Sequence, residues 1–396
     1  MFITIFKIMY LPDVVSRWLT ATSLFTSRDS SKQSHQSLLR LNDQHEFRIT
    51  IFADLHYGEE ESGWGIDQDI KSTRVINAIL DSEKSDFVVL NGDLITGEDT
   101  LLENSTKYLD VVVAPLVERK IRWASTYGNH DSKFNLSRSA LFKEEDKYAL
   151  SYTESSPSGV SGVTNYHIPI FAPEKDSDDT PLAILWIFDS QGGAPFQAES
   201  GSVVNWVDSS IVSWFTKERE LLKKKYSRDI PSLAFVHIPP SAFLTVQNEL
   251  LPNVGDESAH FPGLNDDVPL AVQGDGEQDV PFMQALVDTP GLHSVYSGHD
   301  HGDSWCANWP KGKGTVKGVS KPHLCFCKHS GYGGYGNWNR GARVVKLRFG
   351  GKGGKEMDVE SWVRMENGSL IQRVGLNETY GVDVYPPDNG EIETNE

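Results

Sequence analysis

Five apolar, strand-like runs each end on a residue that can ligate a metal, and this repetition constrains the chain more than anything else in it. FRITIFA leads into Asp54-Leu55-His56, DFVVLN into Gly92-Asp93, and IRWASTY into Gly128-Asn129-His130-Asp131. SLAFV leads into His237-Ile238-Pro239-Pro240, and HSVYS into Gly298-His299-Asp300-His301. Apolar runs this short, closed by Gly, Asp or His, have the pattern of buried parallel strands. Taken singly, a DxH triplet or a His after a strand is more often a turn residue or a hydrogen-bonded core group than a ligand. The ordered set reverses that weighting, because chance rarely places Asp, His and Asn after one strand following another. In an open α/β sheet the carboxyl ends of the strands line one crevice, so ligands distant in sequence meet there. Alternation along an extended chain would put Asp54 and His56 on one face, and likewise His299 and His301 if that turn is extended.

Amphipathic segments separate the strands. Ile70 to Leu80 carries Val75, Ile76, Ile79 and Leu80, as a crossover helix between the first two strands requires. Val207, Ile211, Trp214, Phe215 and Leu222 form one stripe ahead of Lys223 to Lys225, whose charges suit a helix C-terminus. The order βαβαβ predicts an α/β layered fold. Residues 1–45, rich in Ser, Gln and Asp after an apolar start, are expected to form a disordered or loosely packed leader. A main domain over 46–350, a strand extension over 351–382 and an acidic tail over 383–396 follow. ARVVKLRF and DVESWVRM alternate like an antiparallel pair. Leu251 to Val280 and Trp309 to Lys321 read as long loops, each beside a His-bearing motif, where substrate-covering loops are expected.

Of the remaining polar residues, Asp131 either orients His130 or caps the turn that follows. Asp189, with Ser190, Gly192 and Gly193 behind it, reads as a turn former. His35, His45, His167, His260, His293, His323 and His329 have no partner at metal spacing, so packing or solvent roles are expected. Tyr332 and Tyr335 of GYGGYG either line a cleft or are plain turn structure. Cys306, Cys325 and Cys327 lack the fourth ligand of a structural zinc site; a disulfide pinning the loop is the preferred reading.

The formal net charge of −18 repels polyanions, which argues against a nucleic-acid partner held through Lys and Arg. An anionic substrate would need local positive charge, and bound metal supplies it. The opening MFITIFKIMYL is short and interrupted by Lys7 and Pro12, a poor signal peptide, and no run approaches the ~20 apolar residues of a spanning helix. No membrane partner is expected. Sequons at Asn104, Asn135, Asn367 and Asn377 suit secretion but arise readily by chance, so cytoplasmic and secretory locations stay level.

As a set, DLH, GDLI, GNHD, the His of VHIPP and GHDH resemble the five ordered blocks of the calcineurin-like metallophosphoesterases, over residues 47 to 348. Within that superfamily the chain is similar to plant and fungal phosphatases related to purple acid phosphatases, which also carry a GYGGYG-like strand after the last block. The resemblance implies a layered α/β/β/α sandwich with mixed central sheets and a dinuclear metal centre. It assigns Asp54, His56 and His301 to one ion, Asn129, His237 and His299 to the other, and Asp93 as the bridge. His130 would contact the phosphate and assist the leaving group, with Asp131 beside it. Thr96 stands three residues after Asp93, where purple acid phosphatases have Tyr, and this argues against a purple iron–tyrosinate site. Mixed oxygen and nitrogen ligation without thiolate suits Fe, Mn or Zn. The expected activity is hydrolysis of a phosphomonoester, on a small molecule or a phosphoprotein. A phosphodiesterase or nucleotidase with the same centre is the alternative, and a non-catalytic metal-bound interaction protein a more remote one.

Overall fold

The computed structural model describes residues 37–101, 105–133, 135–176, 180–198, 200–250, 259–263, 270–274, 276–309, 316–351 and 355–386. Two mixed sheets pack face to face. In the first, β2 (Glu46–Phe52), β3 (Phe87–Asn91) and β4 (Arg122–Thr126) run parallel, and the antiparallel β11 (Gly341–Gly350), β12 (Glu356–Met365) and β13 (Leu370–Gly375) extend it beyond β2. The second has the order β1 (Leu39–Arg40), β5 (Tyr166–Phe171), β6 (Ala183–Phe188), β7 (Ser232–Val236), β8 (Leu292–Ser297), β10 (His323–Phe326) and β9 (Cys306–Asn308).

The period of two along each strand builds the layers. On β2 and β3, Phe47, Ile49, Ile51, Phe87 and Val89 point into the core shared with the second sheet, while Phe52, Val88 and Leu90 point the other way. That outer face is covered by α1 (Gly65–Ser82) and α2 (Lys107–Arg119) through Val75, Ile76, Ile79, Leu109 and Val112. Burial on both faces is why these strands read as unbroken apolar runs. On the far side of the second sheet, α3 (Ser209–Tyr226) presents Ile211 and Phe215, and α4 (Val280–Val287) presents Phe282 and Leu286. The result is the expected α/β/β/α layering. Phe215 sits 4.8 Å from Trp186 and 5.0 Å from Phe188, edge to face. Truncating a ring packed this way costs about 3–5 kcal/mol.

The helix expected from Ile70 begins earlier, at Gly65. On α3, Ile211 and Phe215 are buried and Trp214 and Leu222 partly so, while Val207 is buried just ahead of the helix. The loose leader needs correction at its end: Leu39 and Leu41 are buried, and β1 pairs in parallel with β5. Leu39 and Leu41 alternate about Arg40, but one alternation beside the exposed Leu38 is too short to mark an edge strand in the sequence. The antiparallel pair after the Gly/Tyr motif is present as β11 and β12, but GYGGYG itself is a loop between β10 and β11 rather than a strand. The leader to residue 36, His35, Asn104, the tail from 387, and residues 251–258, 264–269 and 310–315 of the two long loops lie outside the described residues. Among those described, no helix is long and apolar enough to cross a membrane.

Candidate metal centre

The strand ends converge, though from two sheets rather than one open sheet. The loops after β2 and β3 run side by side, with the N–H groups of Leu55 and His56 both donating to the Asp93 carbonyl. From the other sheet, the Gly298 N–H donates to the His237 carbonyl, aligning the loops after β7 and β8. The two pairs are joined where the His299 N–H donates to Asp54 Oδ1 at 2.9 Å.

Neither DxH nor HxH is extended. Asp54 (φ 56°), His56 (φ 49°), Asp93 (φ 49°) and His299 (φ 78°) all adopt left-handed backbone. Such a conformation costs a non-glycine residue about 1–3 kcal/mol, and it persists where the surroundings over-determine it, as at functional sites. The tight turns, not strand alternation, aim these side chains. Close packing also explains the flanking glycines: a Cβ on Gly128 would lie 2.2 Å from Asp93 Oδ1.

Two groups of ligand atoms result. Asp54, His56 and His301 bring one ligand atom each within 4.8 Å of one another, and Asp93, His237 and His299 do the same. His299 and His301 thus serve different groups. His56 Nε2 is 3.2 Å from His301 Nε2, and His237 Nε2 is 2.9 Å from Asp93 Oδ2. Asn129 follows Gly128, whose Cα packs against Asp93 and His237; its Oδ1, like Asp54 Oδ2, is buried without a hydrogen-bond partner among the described residues. Buried acceptors left bare cost several kcal/mol unless a cation meets them. The donor set fits a pair of metal ions for that reason.

Protonation agrees. Burial holds His56 well below its ordinary pKa and drives His299 and His301 down to about 3, so these imidazoles are neutral, the form that ligates. His237 and His130 hold the Asp93 carboxylate well below its ordinary range against the cost of burial. Burial pushes Asp54 up to about 7, a penalty that a cation beside the carboxylate would relieve. His237 Nδ1 faces the Asn91 carbonyl at 2.9 Å, and His301 Nδ1 faces that of Tyr335 at 2.8 Å. A carbonyl only accepts, so both rings carry a proton on Nδ1 and turn Nε2 toward the centre. Burial opposes charge on His237, but Asp93 outweighs it and raises the pKa to about 9, so its Nε2 also carries a proton, which a metal would displace.

His130 lies at the mouth, its ring centroid 4.9 Å from that of His56. Its backbone N–H donates to Asp93 Oδ1, and its Nδ1 is 2.7 Å from Glu98 Oε1. Burial pulls this imidazole toward neutrality, but Asp93 and Glu98 outweigh it and raise the pKa to about 9. Asp131 is not the partner that orients His130. Its buried carboxylate accepts the N–H groups of Gly128, Leu94 and Ile95, pinning the loop after β3 to the loop after β4. That backbone role follows from Asp131 being fully buried behind the turn. Glu98 takes the orienting position; nothing in its setting, ITGEDT, marks it in the sequence.

Other groups fall where expected. Asp189 accepts from the Val163 and Gln191 N–H groups as a turn residue. His329 is buried and stacks on His301 at 4.2 Å, with Tyr335 on the opposite side at 4.1 Å, so packing there steadies a ligand ring. Tyr335 is half exposed beside the centre, whereas the Tyr332 hydroxyl donates to Glu366. Cys306 and Cys325 form a disulfide across β9 and β10, leaving Cys327 as a buried thiol.

The profile of the calcineurin-like phosphoesterase family matches residues 47–303. The chain is 27% identical to "Probable inactive purple acid phosphatase 14" of Arabidopsis thaliana, over 91% of each chain. It is 27% identical to "Phosphatase DCR2" of Saccharomyces cerevisiae, over 84% of this chain and 55% of that one. Among solved structures, a dimetal phosphatase from Danio rerio aligns with 84% of this chain and 98% of its own, at 15% identity and a TM-score of 0.48.

Proposed function

The chain belongs to the calcineurin-like phosphoesterase family, and from that premise we propose that it hydrolyses phosphomonoesters at a dinuclear metal centre. The observation that carries this reading is the pair of buried ligand groups, Asp54 with His56 and His301 and Asp93 with His237 and His299, with His130 packed against His56. Asp54, His56 and His301 would hold one ion, Asn129, His237 and His299 the other, and Asp93 would serve both. When bound, a pair of divalent or trivalent ions lowers the pKa of a bound water and draws charge from the phosphoryl oxygens.

The protein's own part is orientation and proton supply. Asp93 Oδ1 is fixed by the His130 N–H, so Oδ2 is the oxygen turned toward His237. Asp54 Oδ1 is fixed by the His299 N–H, leaving Oδ2 bare. His130 engages Glu98 through Nδ1 and retains a proton on Nε2 for the phosphate or the departing oxygen.

The Arabidopsis relative is named "Probable inactive purple acid phosphatase 14", which favours a second reading in which the centre binds metal without turning over. Against it stands the complete ligand set together with the His130–Glu98 pair. Turnover of an aryl phosphate monoester, its bis-aryl diester and a nucleotide, each with added Mn, Zn or Fe, tests the proposal. Preferred hydrolysis of the monoester is expected; a clear preference for the diester or the nucleotide would replace it with the phosphodiesterase or nucleotidase alternative.

A further inference from the structure

We infer that Glu59 and Thr96 form a relay that fixes the proton of His56 and so presents its Nε2 to the metal; this rests on the two-metal reading above. Glu59 lies in the loop after β2 and is buried at 8% exposure. Its Oε1 accepts the Gly334 N–H at 2.8 Å and the Thr96 hydroxyl at 3.1 Å. A carboxylate has no proton to give, so the single hydroxyl proton of Thr96 is committed to Glu59. Only lone pairs remain on Thr96 Oγ1, and His56 Nδ1 lies 3.1 Å from it. That contact is a hydrogen bond only when Nδ1 carries the imidazole proton. Nε2 then bears the lone pair, and it is the nitrogen facing His301 Nε2 and, at 3.9 Å, Asp93 Oδ2.

His237 and His301 hold their Nδ1 protons through backbone carbonyls. His56 alone of these three depends on side chains. The Gly/Tyr loop supplies both arrangements from adjacent residues, since the Gly334 N–H holds Glu59 and the Tyr335 carbonyl holds His301. Gly334 must be glycine for this: its φ is 73°, and a Cβ there would lie 2.4 Å from His301 Cε1 and 2.9 Å from His56 Cδ2. Thr96, the residue that departs from the purple enzymes, therefore acts on the metal through His56. Glu59 and Thr96 are positioning residues.

Two readouts test the relay. Long-range ¹H–¹⁵N spectra of the metal-free protein report the His56 tautomer, and chelator competition reports the affinity of each ion. Wild type and Thr96→Ser should show the proton on Nδ1, whereas Thr96→Val and Glu59→Leu, which lacks any acceptor, should show a tautomer mixture. In those two variants one ion should bind about 10- to 100-fold more weakly while the other is held as in wild type, and Thr96→Ser should recover most of the loss. An unchanged tautomer and unchanged affinities in Thr96→Val and Glu59→Leu would overturn the relay. If Thr96→Val does not fold, Glu59→Leu and Thr96→Ser decide alone. Should wild type bind no metal, the two-metal reading falls, and the metal-free spectra still judge the relay.

Discussion

Glu98 Oε1 lies 2.7 Å from Nδ1 of His130, and the two side chains are each about one-third exposed at the mouth of the centre. Burial opposes charge on His130, but Asp93 and Glu98 together raise its pKa to about 9. A His held protonated suits the delivery of a proton to a leaving oxygen. Glu98→Gln should therefore lower kcat about 10- to 100-fold and move the basic limb of the kcat–pH profile to lower pH. Because protonated His130 is the active form, activity is present below its pKa and lost above it. A profile whose basic limb does not move in Glu98→Gln removes His130 from that role.

A second pH effect is independent of metal. The rings of His293 and His323 are 5.0 Å apart between β8 and β10. Burial drives His293 down to about 4, and burial with the neighbouring His293 drives His323 down to about 3. Between pH 6.5 and 4 the unfolded chain binds protons here that the folded chain refuses, so stability falls on acidification, by about 1.4 kcal/mol per pH unit for each such histidine. His323→Phe should flatten the dependence of the urea midpoint on pH in this window. An equal slope in variant and wild type would show that His323 is not held neutral.

Cys306 and Cys325 are 19 residues apart and face each other across an antiparallel pair. Closing a loop of that size stabilises by about 3 kcal/mol in the chain-entropy account. Burial pushes the remaining Cys327 thiol up to about 12, so it should be unreactive while the protein is folded. Thiol titration of oxidised protein should count none when folded, one after unfolding and three after reduction. Three thiols on unfolding without reductant would mean that the bridge does not form in the protein as made.

What the sequence could disclose followed from local pattern. Strand ends are local, so Asp54, His56, Asp93, Asn129, His237, His299 and His301 were legible from the residues before them. The division of the strands between two sheets was not, because parallel strands buried on both faces look alike in either sheet. Backbone conformation at the ligands was hidden too: extended alternation predicted a shared face for Asp54 and His56, and left-handed turns deliver them instead. Glu59, Glu98 and the edge strand at Leu39 escaped for a common reason. Each acts through partners distant in sequence, and a single Glu, or the one alternation of Leu39 and Leu41, is too short to carry a period.

Asp93 is the residue on which the centre turns, since it faces His237 through Oδ2, lies 3.9 Å from His56 and receives the His130 N–H through Oδ1. The most direct measurement is metal content by elemental analysis, made on the same wild-type and Asp93→Asn preparations whose aryl phosphate turnover is recorded. Two ions per chain with monoester hydrolysis in wild type are expected. Asp93→Asn should lose metal, with a fall in turnover of about a thousandfold, the several kcal/mol that such a centre contributes. Wild type holding two ions without hydrolysing any phosphoester, or Asp93→Asn keeping full metal and full turnover, would contradict the account.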